Sequence, residues 1–410
     1  MNSKNKTGAI VIGGSLTGLS TIRCLANLDI PIELIITDTN DIAHHSKFVT
    51  EHYNLREFQH HPEALIDFLE HKIEKWKGWV LFPTGDESLA ILSSYLDRLS
   101  SSYVVMAAPW EQTRKILSKD LTYKAAEEIG INIPYLYGYA SLGECINENI
   151  KFPVVVKPID SRKFVGVFGV KLFVATNKTE LLDCIGKLEE FSLSALIMDL
   201  IPGPDNHFYN YSVYIDRRGE PVAELTMRKL RKSPPFYGVC RVAENINSNR
   251  LKEPTIELLR HIGWRGIANV EYKLDPRDGK YRLMEINGRC FLMQGLAYRA
   301  GINYPLLAWQ EYAIGKRVSA YRNNWNGVWI NLTDDLYFGS FYRNIENLSL
   351  KQYLSTYRRP KTYAVWSRTD PTPFIVHFYK GVRKALSAAI NSQYRDKLHS
   401  HVQGMPMDID

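Results

Sequence analysis

The stretch from Gly266 to Arg289 constrains this chain more than any other. It reads Gly-Ile-Ala-Asn-Val-Glu-Tyr-Lys-Leu-Asp-Pro-Arg-Asp-Gly-Lys-Tyr-Arg-Leu-Met-Glu-Ile-Asn-Gly-Arg, two alternating strands joined by the turn-forming Asp-Pro-Arg-Asp-Gly. With Asp275 paired to Tyr281 and an unbroken ladder, Glu271 falls opposite Glu285, and Asn287, two residues further on, shares their face. Two carboxylates facing each other about 5 Å apart repel, so this pairing implies a cation between them. Two carboxylates and an amide suit magnesium, with water and phosphate oxygens completing its shell, as Mg-ATP requires. The competing reading leaves one glutamate on an edge facing solvent.

The start of the chain has a different character. Ala9 to Ile12 reads as a short buried strand, Gly13-Gly14-Ser15-Leu16-Thr17-Gly18 as a tight turn entering a helix, and Ile32 to Thr37 as a second strand ending at Asp38. Asp38 lies where a ribose-binding acid sits in dinucleotide sites, so an NAD-linked oxidoreductase is one rival reading, although the glycines depart from G-x-G-x-x-G. Trp79 to Pro83 delivers Thr84, Asp86 and Glu87 to a loop, and Tyr103 to Ala107 is a further strand. Ligands bind beyond the carboxyl ends of such strands, so Asp86 and Glu87 are substrate-site candidates as well as helix caps. Trp110 to Ile131 then reads as helical. Strands follow at Phe152 to Pro158, Ala195 to Ile201, Tyr211 to Ile215, Ala223 to Met227, Gly266 to Leu274 and Tyr281 to Asn287, with a helix at Glu253 to Ile262. The expected class is α/β plus α+β, with a doubly wound parallel sheet at the N-terminus.

At 410 residues, 45% apolar and 23% charged, the composition excludes disorder, a fibrous repeat and a coiled coil, and implies two or three lobes. The five cysteines (Cys24, Cys145, Cys184, Cys240, Cys290) lack metal-ligand spacing, which disfavours disulfides and zinc and points to a reducing, cytoplasmic setting. No targeting segment or membrane span is apparent. Of the net charge of +7, an excess of six lies between Phe341 and Asp410, which holds eleven Lys/Arg against five Asp/Glu. There Phe374, Phe378, Val382 and Leu386 recur at helical spacing opposite Lys380, Arg383 and Lys384. Two roles stand for this amphipathic helix, docking against the protein body or peripheral membrane contact. The histidines at 44, 45, 52, 60 and 61 have no metal spacing and read as surface residues.

Leu283-Met-Glu-Ile-Asn-Gly-Arg resembles the E-x-N-x-R metal signature of the ATP-grasp superfamily. Ser118-Lys119-Asp120 and Val154-Val-Val-Lys157-Pro resemble its two phosphate-binding lysine segments, and Asp160 to Gly169 stands in the place of its flexible phosphate-covering loop, with only two glycines. Leu196-Ile-Met-Asp-Leu-Ile-Pro-Gly resembles the strand that holds adenine. The resemblance implies adenine contacts at Asp199, Leu200 and Ile201, with Asp205 toward the ribose. It also implies phosphate contacts at Lys119 and Lys157, metal ligands at Glu271, Glu285 and Asn287, and Arg289 at the acyl-phosphate intermediate. Arg228, Lys229, Arg231 and Lys232 read as an exposed cationic strand end, from which Lys229 and Arg231 are catalytic candidates.

Across the chain the pattern is similar to the carboxylate-amine ligase-like group that includes D-aspartate ligases. That resemblance implies a pre-ATP-grasp domain at 1–110, an ATP-grasp domain at 111–320 and a basic extension at 321–410. The central domain divides into a nucleotide-covering lobe at about 120–200 and a metal-binding lobe at about 201–320. It further implies ATP with Mg2+ (or Mn2+), small-molecule carboxylate and amine substrates, no nucleic acid, and a cytoplasmic location. It admits a homodimer. A nucleotide-gated binding or assembly protein that has lost acyl transfer is the second rival reading.

Overall fold

A computed structural model describes residues 7–56, 61–140, 149–316, 325–342, 346 and 348–390. The N-terminal strands β1 (Ala9–Ile12), β2 (Ile32–Ile36), β3 (Glu51–Asn54), β4 (Val80–Pro83) and β5 (Val104–Val105) form a parallel sheet in the order β3-β2-β1-β4-β5. Apolar residues on both faces are what a parallel sheet wrapped by helices requires. Ile10 and Ile12 pack with Leu65, Leu69 and Trp76 on one side, while Ala9 and Val11 pack with Leu19 and Ile22 on the other. Sequence reasoning omitted β3, a short edge strand whose side chains are largely exposed and lack an apolar pattern.

A smaller antiparallel sheet follows, built from β6 (Leu136–Tyr139), β7 (Val154–Pro158), β8 (Phe173–Ala175) and β9 (Ala195–Asp199) in the order β6-β9-β7-β8. Helix Lys178–Glu190 covers one face through Leu181, Ile185 and Leu188. Its Asn177 cap accepts from the Glu180 amide. The segment expected as a flexible loop is instead helix Ser161–Phe168. Phe164 and Phe168, four apart and so on one helical face, pack against Phe173 with ring centroids 4.9 and 5.0 Å away, which explains the ordering.

The third sheet has seven strands: β10 (Phe208–Ile215), β11 (Pro221–Ser233), β12 (Val239–Ile246), β13 (Gly266–Leu274), β14 (Tyr281–Asn287), β15 (Val328–Ile330) and β16 (Lys361–Tyr363), in the order β14-β13-β10-β11-β12-β15-β16. The segment expected as a separate basic extension thus supplies two of its strands. One core joins the N-terminal sheet, this large sheet and the C-terminal segment, through Val11, Leu225, Leu296, Trp329 and Val365. The helical stretch expected from Trp110 to Ile131 is two helices, Trp110–Leu117 and Lys119–Glu127, with Ser118 between them in extended conformation. Cys145 and His60, and the side chains of Lys384 and Leu386, lie outside the described residues. The other four cysteines are buried and free.

Candidate active site

A cleft of about 610 Å³ opens where the three sheets meet. Loops and helix starts that follow strands of the N-terminal sheet contribute Ser15, Thr17, Thr84 and Asp86, the small sheet contributes Lys157 and Met198, and the large sheet contributes Lys229, Glu271, Glu285 and Asn287. Strand parity explains the last group. Ala268, Val270 and Tyr272 on β13 enter the core beneath helix Lys252–Ile262, so Asn269, Glu271 and Lys273 face the cleft.

Glu271 does lie opposite Glu285, but not through the expected register. Leu274, rather than Asp275, pairs with Tyr281, and the ladder shifts between Tyr272 and Glu271, leaving Met284 as an extra residue. This bulge lets Leu283 and Ile286, three apart, both enter the core that an unbroken strand would deny to one of them. It also turns the Met284 carbonyl to accept from Lys157 Nζ at 3.0 Å and from Tyr123 Oη at 3.1 Å.

The electrostatics are those of a site built for negative charge. Lys119 Nζ donates to Ser161 Oγ at 3.0 Å, and among the described residues no carboxylate lies within hydrogen-bonding distance of Lys157. Burial pulls the Lys157 ammonium down from its ordinary pKa, partly offset by Glu285 and Glu271. Burial also draws Lys232 down to about 7, helped by the charge on Lys229, and draws Lys273 down to about 8. Lys171 shares the same cleft. Position inside the cleft works against the charged form of Glu285, but Lys157, Lys229 and Lys119 outweigh that and hold its carboxyl at about 2. The Glu285 side chain is accessible to solvent, which screens these attractions.

Glu271 is ion-paired with Lys229, and Asn287 Nδ2 donates to Glu285 Oε1 at 3.2 Å. Arg289 joins this group to the N-terminal lobe, donating from Nε to Asp86 Oδ1 at 2.7 Å and from Nη2 to Asn287 Oδ1 at 3.0 Å. Asp86 also opens helix Asp86–Ser94, so it belongs both to the helix start and to the site. Among the described residues no three His, Cys, Asp or Glu side chains group as a metal site. The set here is two carboxylates and an amide, the donors of a hard cation that keeps water and phosphate oxygens in its shell. The fit is supported by the buried Oδ1 atoms of Asn210 and Asn269, which line the cleft beside Glu271 and have no hydrogen-bond partner among the described residues.

Other expected site residues stand elsewhere or are already engaged. Asp199 lines the cleft but is paired with Arg277 at 2.6 Å, and the Ile201 carbonyl accepts from Lys273 Nζ at 2.6 Å, while Leu200 lines the cleft next to them. Asp205 is buried away from the cleft, with its two oxygens accepting from the Lys232 and Phe236 amides at 2.7 Å, so it braces a turn and is not positioned for a ribose. The cationic strand end is not exposed: Lys229, Arg231 and Lys232 are all buried. Register shifts at Leu230 and Arg241 send Lys229 and Lys232 into the cleft and Arg231 to the opposite face. There Arg231 grips Asp335 with two bonds of 2.9 and 2.8 Å, which removes it from the catalytic candidates. Lys273 and Asn269, two residues either side of Glu271, were legible from strand alternation and were missed; Lys171 had no comparable signal.

The glycine turn offers no dinucleotide site. Gly13 has φ +102°, and a Cβ on Gly18 would stand 2.0 Å from the Gly13 carbonyl oxygen, so these glycines serve a close helix-to-loop approach. The Asp41 carboxylate accepts from the Gly14 and Thr37 amides at 2.8 and 2.9 Å, setting a negative charge against the glycine turn that would oppose a pyrophosphate there. Asp38 is exposed and accepts from the Asn40 amide.

Residues 241–317 match the family described as carbamoyl-phosphate synthase L chain, ATP binding domain. The fold is that of the ATP-grasp enzymes, and the constellation of side chains is similar to theirs. It is similar to the D-aspartate ligase of Enterococcus faecium, at 25% identity over 236 residues, covering 53% of this chain and 54% of that one. It is also similar to the arginine-specific carbamoyl phosphate synthase large chain of Schizosaccharomyces pombe, at 24% identity over 58% of this chain and 21% of that one. The chain therefore spans about half the length of the first relative and about a fifth of the second. Among solved structures, the L-amino acid ligase of Bacillus licheniformis aligns with a TM-score of 0.60 at 17% identity, covering 76% of this chain and 75% of that chain. A biotin carboxylase from Campylobacter jejuni aligns at 0.62 and 15%, covering 80% and 75%.

Proposed function

We propose that this chain is an ATP-dependent ligase that activates a carboxylate as an acyl phosphate and transfers the acyl group to an amine, releasing ADP and phosphate. The observation that carries this reading is the convergence, in one cleft, of an opposed Glu271–Glu285 pair, Asn287, Arg289 and lysines whose charge no carboxylate fully balances. Glu271, Glu285 and Asn287 would hold magnesium, which supplies charge neutralisation to the phosphates; manganese suits the same donors. Lys119 and Lys157 orient the phosphates. Arg289, tied to both lobes, stabilises the charge that develops on the transferring group and on the tetrahedral carbon. The backbone around Asp199 to Ile201 is the proposed adenine edge. The free buried cysteines and the need for ATP support a cytoplasmic location. Hydroxylamine trapping tests the acyl phosphate: ATP, magnesium, a carboxylate pool and hydroxylamine should yield a hydroxamate with stoichiometric ADP. Hydroxamate with AMP would replace the acyl phosphate with an adenylate, and neither product would remove the reading.

Two further results are expected from the lysines. Lys157→Met removes a cation facing the phosphates while keeping the packing of its stem, so ATP affinity should fall about 10- to 100-fold. Thermal-shift titration measures this, and unchanged protection by ATP would exclude Lys157 from the site. Lys232 and Lys273 are partly deprotonated at about pH 8, because their pKa values are lowered to about 7 and about 8. A bound polyphosphate raises both, so binding at that pH takes up about one proton, falling toward zero near pH 6, where both lysines are already charged. Calorimetry in buffers of different ionisation enthalpy reads this directly, and proton release at pH 8 would contradict it.

A further inference from the structure

The described part of helix Thr372–Ile390 docks by one face only. Asp370, at its start, accepts from Arg23 Nε at 3.0 Å, Ser46 Oγ at 2.8 Å and the Lys47 amide at 3.0 Å, bolting this end to the N-terminal lobe. Gly381 lies so close to helix Leu332–Tyr342 that a Cβ would stand 2.8 Å from Thr333 Cγ2. Phe374 and His377 are half-buried on the same side. The outward side is the apolar one. Ile375, Phe378, Tyr379 and Val382, spaced i, i+3, i+4, i+7, are 60, 47, 62 and 40% exposed. The half-exposed Trp366 extends this stripe, with its ring 5.3 Å from that of Phe374. A surface helix normally turns this face inward, so an outward stripe marks a contact surface.

We infer that this face seats the protein on the surface of an anionic phospholipid bilayer, with the helix lying in the interface plane. Charge selects this occupant. Arg368, Lys380 and Arg383 are exposed around the stripe, and residues 341–410 carry an excess of six positive charges, so a second copy would meet like charge with like charge. The aromatic pair Trp366 and Tyr379 has the apolar body and polar tip favoured at the headgroup level. Among the described residues no helix is long and apolar enough to cross a membrane. The inference does not depend on the ligase reading.

Co-sedimentation of the full chain with vesicles tests it. The protein should bind vesicles of mixed phosphatidylglycerol and phosphatidylcholine, and binding should drop on raising salt and in pure phosphatidylcholine. Phe378→Ser with Tyr379→Ser, and separately Lys380→Glu with Arg383→Glu, should each weaken binding about tenfold or more. All four side chains are solvent-facing, so the variants should unfold at the wild-type temperature. Absence of vesicle binding overturns the proposal. So does binding that ignores the apolar variant, which would assign it to the basic residues alone. Concentration-dependent dimers abolished by Phe378→Ser, without vesicle binding, would assign the face to a second copy.

Discussion

Glu285→Gln is expected to lower ADP formation about a thousandfold while leaving the fold in place. The substitution keeps shape and removes one negative charge from a site whose proposed metal donors are two carboxylates and an amide. Loss of several kcal/mol of charge stabilisation at the phosphates corresponds to that factor. The cost to folding is small, because Glu285 opens onto the cleft and makes its side-chain bond to Asn287 alone among the described residues. It faces the like-charged Glu271, which offsets part of the solvent-screened attraction from Lys157, Lys229 and Lys119, so the change should cost about 1 kcal/mol. Steady-state ADP release and thermal unfolding, measured on the same preparation, separate the two effects. Near-normal turnover would take Glu285 out of the metal set.

Asp335→Ala is expected to do the reverse, costing about 3–5 kcal/mol of stability by stranding the buried Arg231 and leaving Arg241 to Glu346 alone among the described carboxylates. Asp335 is fully buried and accepts from Arg231 and from Arg241, the latter at 2.8 Å, while Tyr357 donates to the same carboxylate. Arg241 is itself held by Glu346 at 2.6 Å, so a four-member ionic cluster closes the face of β11 and β12 that points away from the cleft. Burial disfavours the Asp335 carboxylate, but the arginines depress its pKa below the ordinary value. Its contribution is therefore present above the unfolded pKa and is lost as pH falls through the depressed native one. Denaturant unfolding checks the magnitude. A stable Asp335→Ala protein that has lost only ADP formation would return Arg231 to the catalytic group.

These two residues also mark what the sequence could and could not convey. The Glu271–Glu285 opposition was legible because strand alternation is local and the turn residues lie within six positions of the pairing. The register that delivers it was not. The bulge at Met284 exists because Leu283 and Ile286 must both reach a core made by helix Lys252–Ile262, and no local pattern encodes that requirement. Arg231 was misread for a related reason: its partner lies 104 residues away, and the irregularity at Leu230 reverses the face. Asp205 resembled a ribose acid by position, yet its oxygens serve two backbone amides about 30 residues later. The glycine turn drew attention to Asp38, whereas Asp41 does the work there. Placements set by neighbours in sequence were legible, and those set by partners brought in through tertiary packing were not.

The account is tested most directly by nucleotide product analysis of the purified protein with Mg-ATP and pooled carboxylates and amines. It predicts ADP and phosphate in equal amounts, dependent on both pools. AMP and pyrophosphate, or no turnover with any pool despite ATP binding, would contradict it.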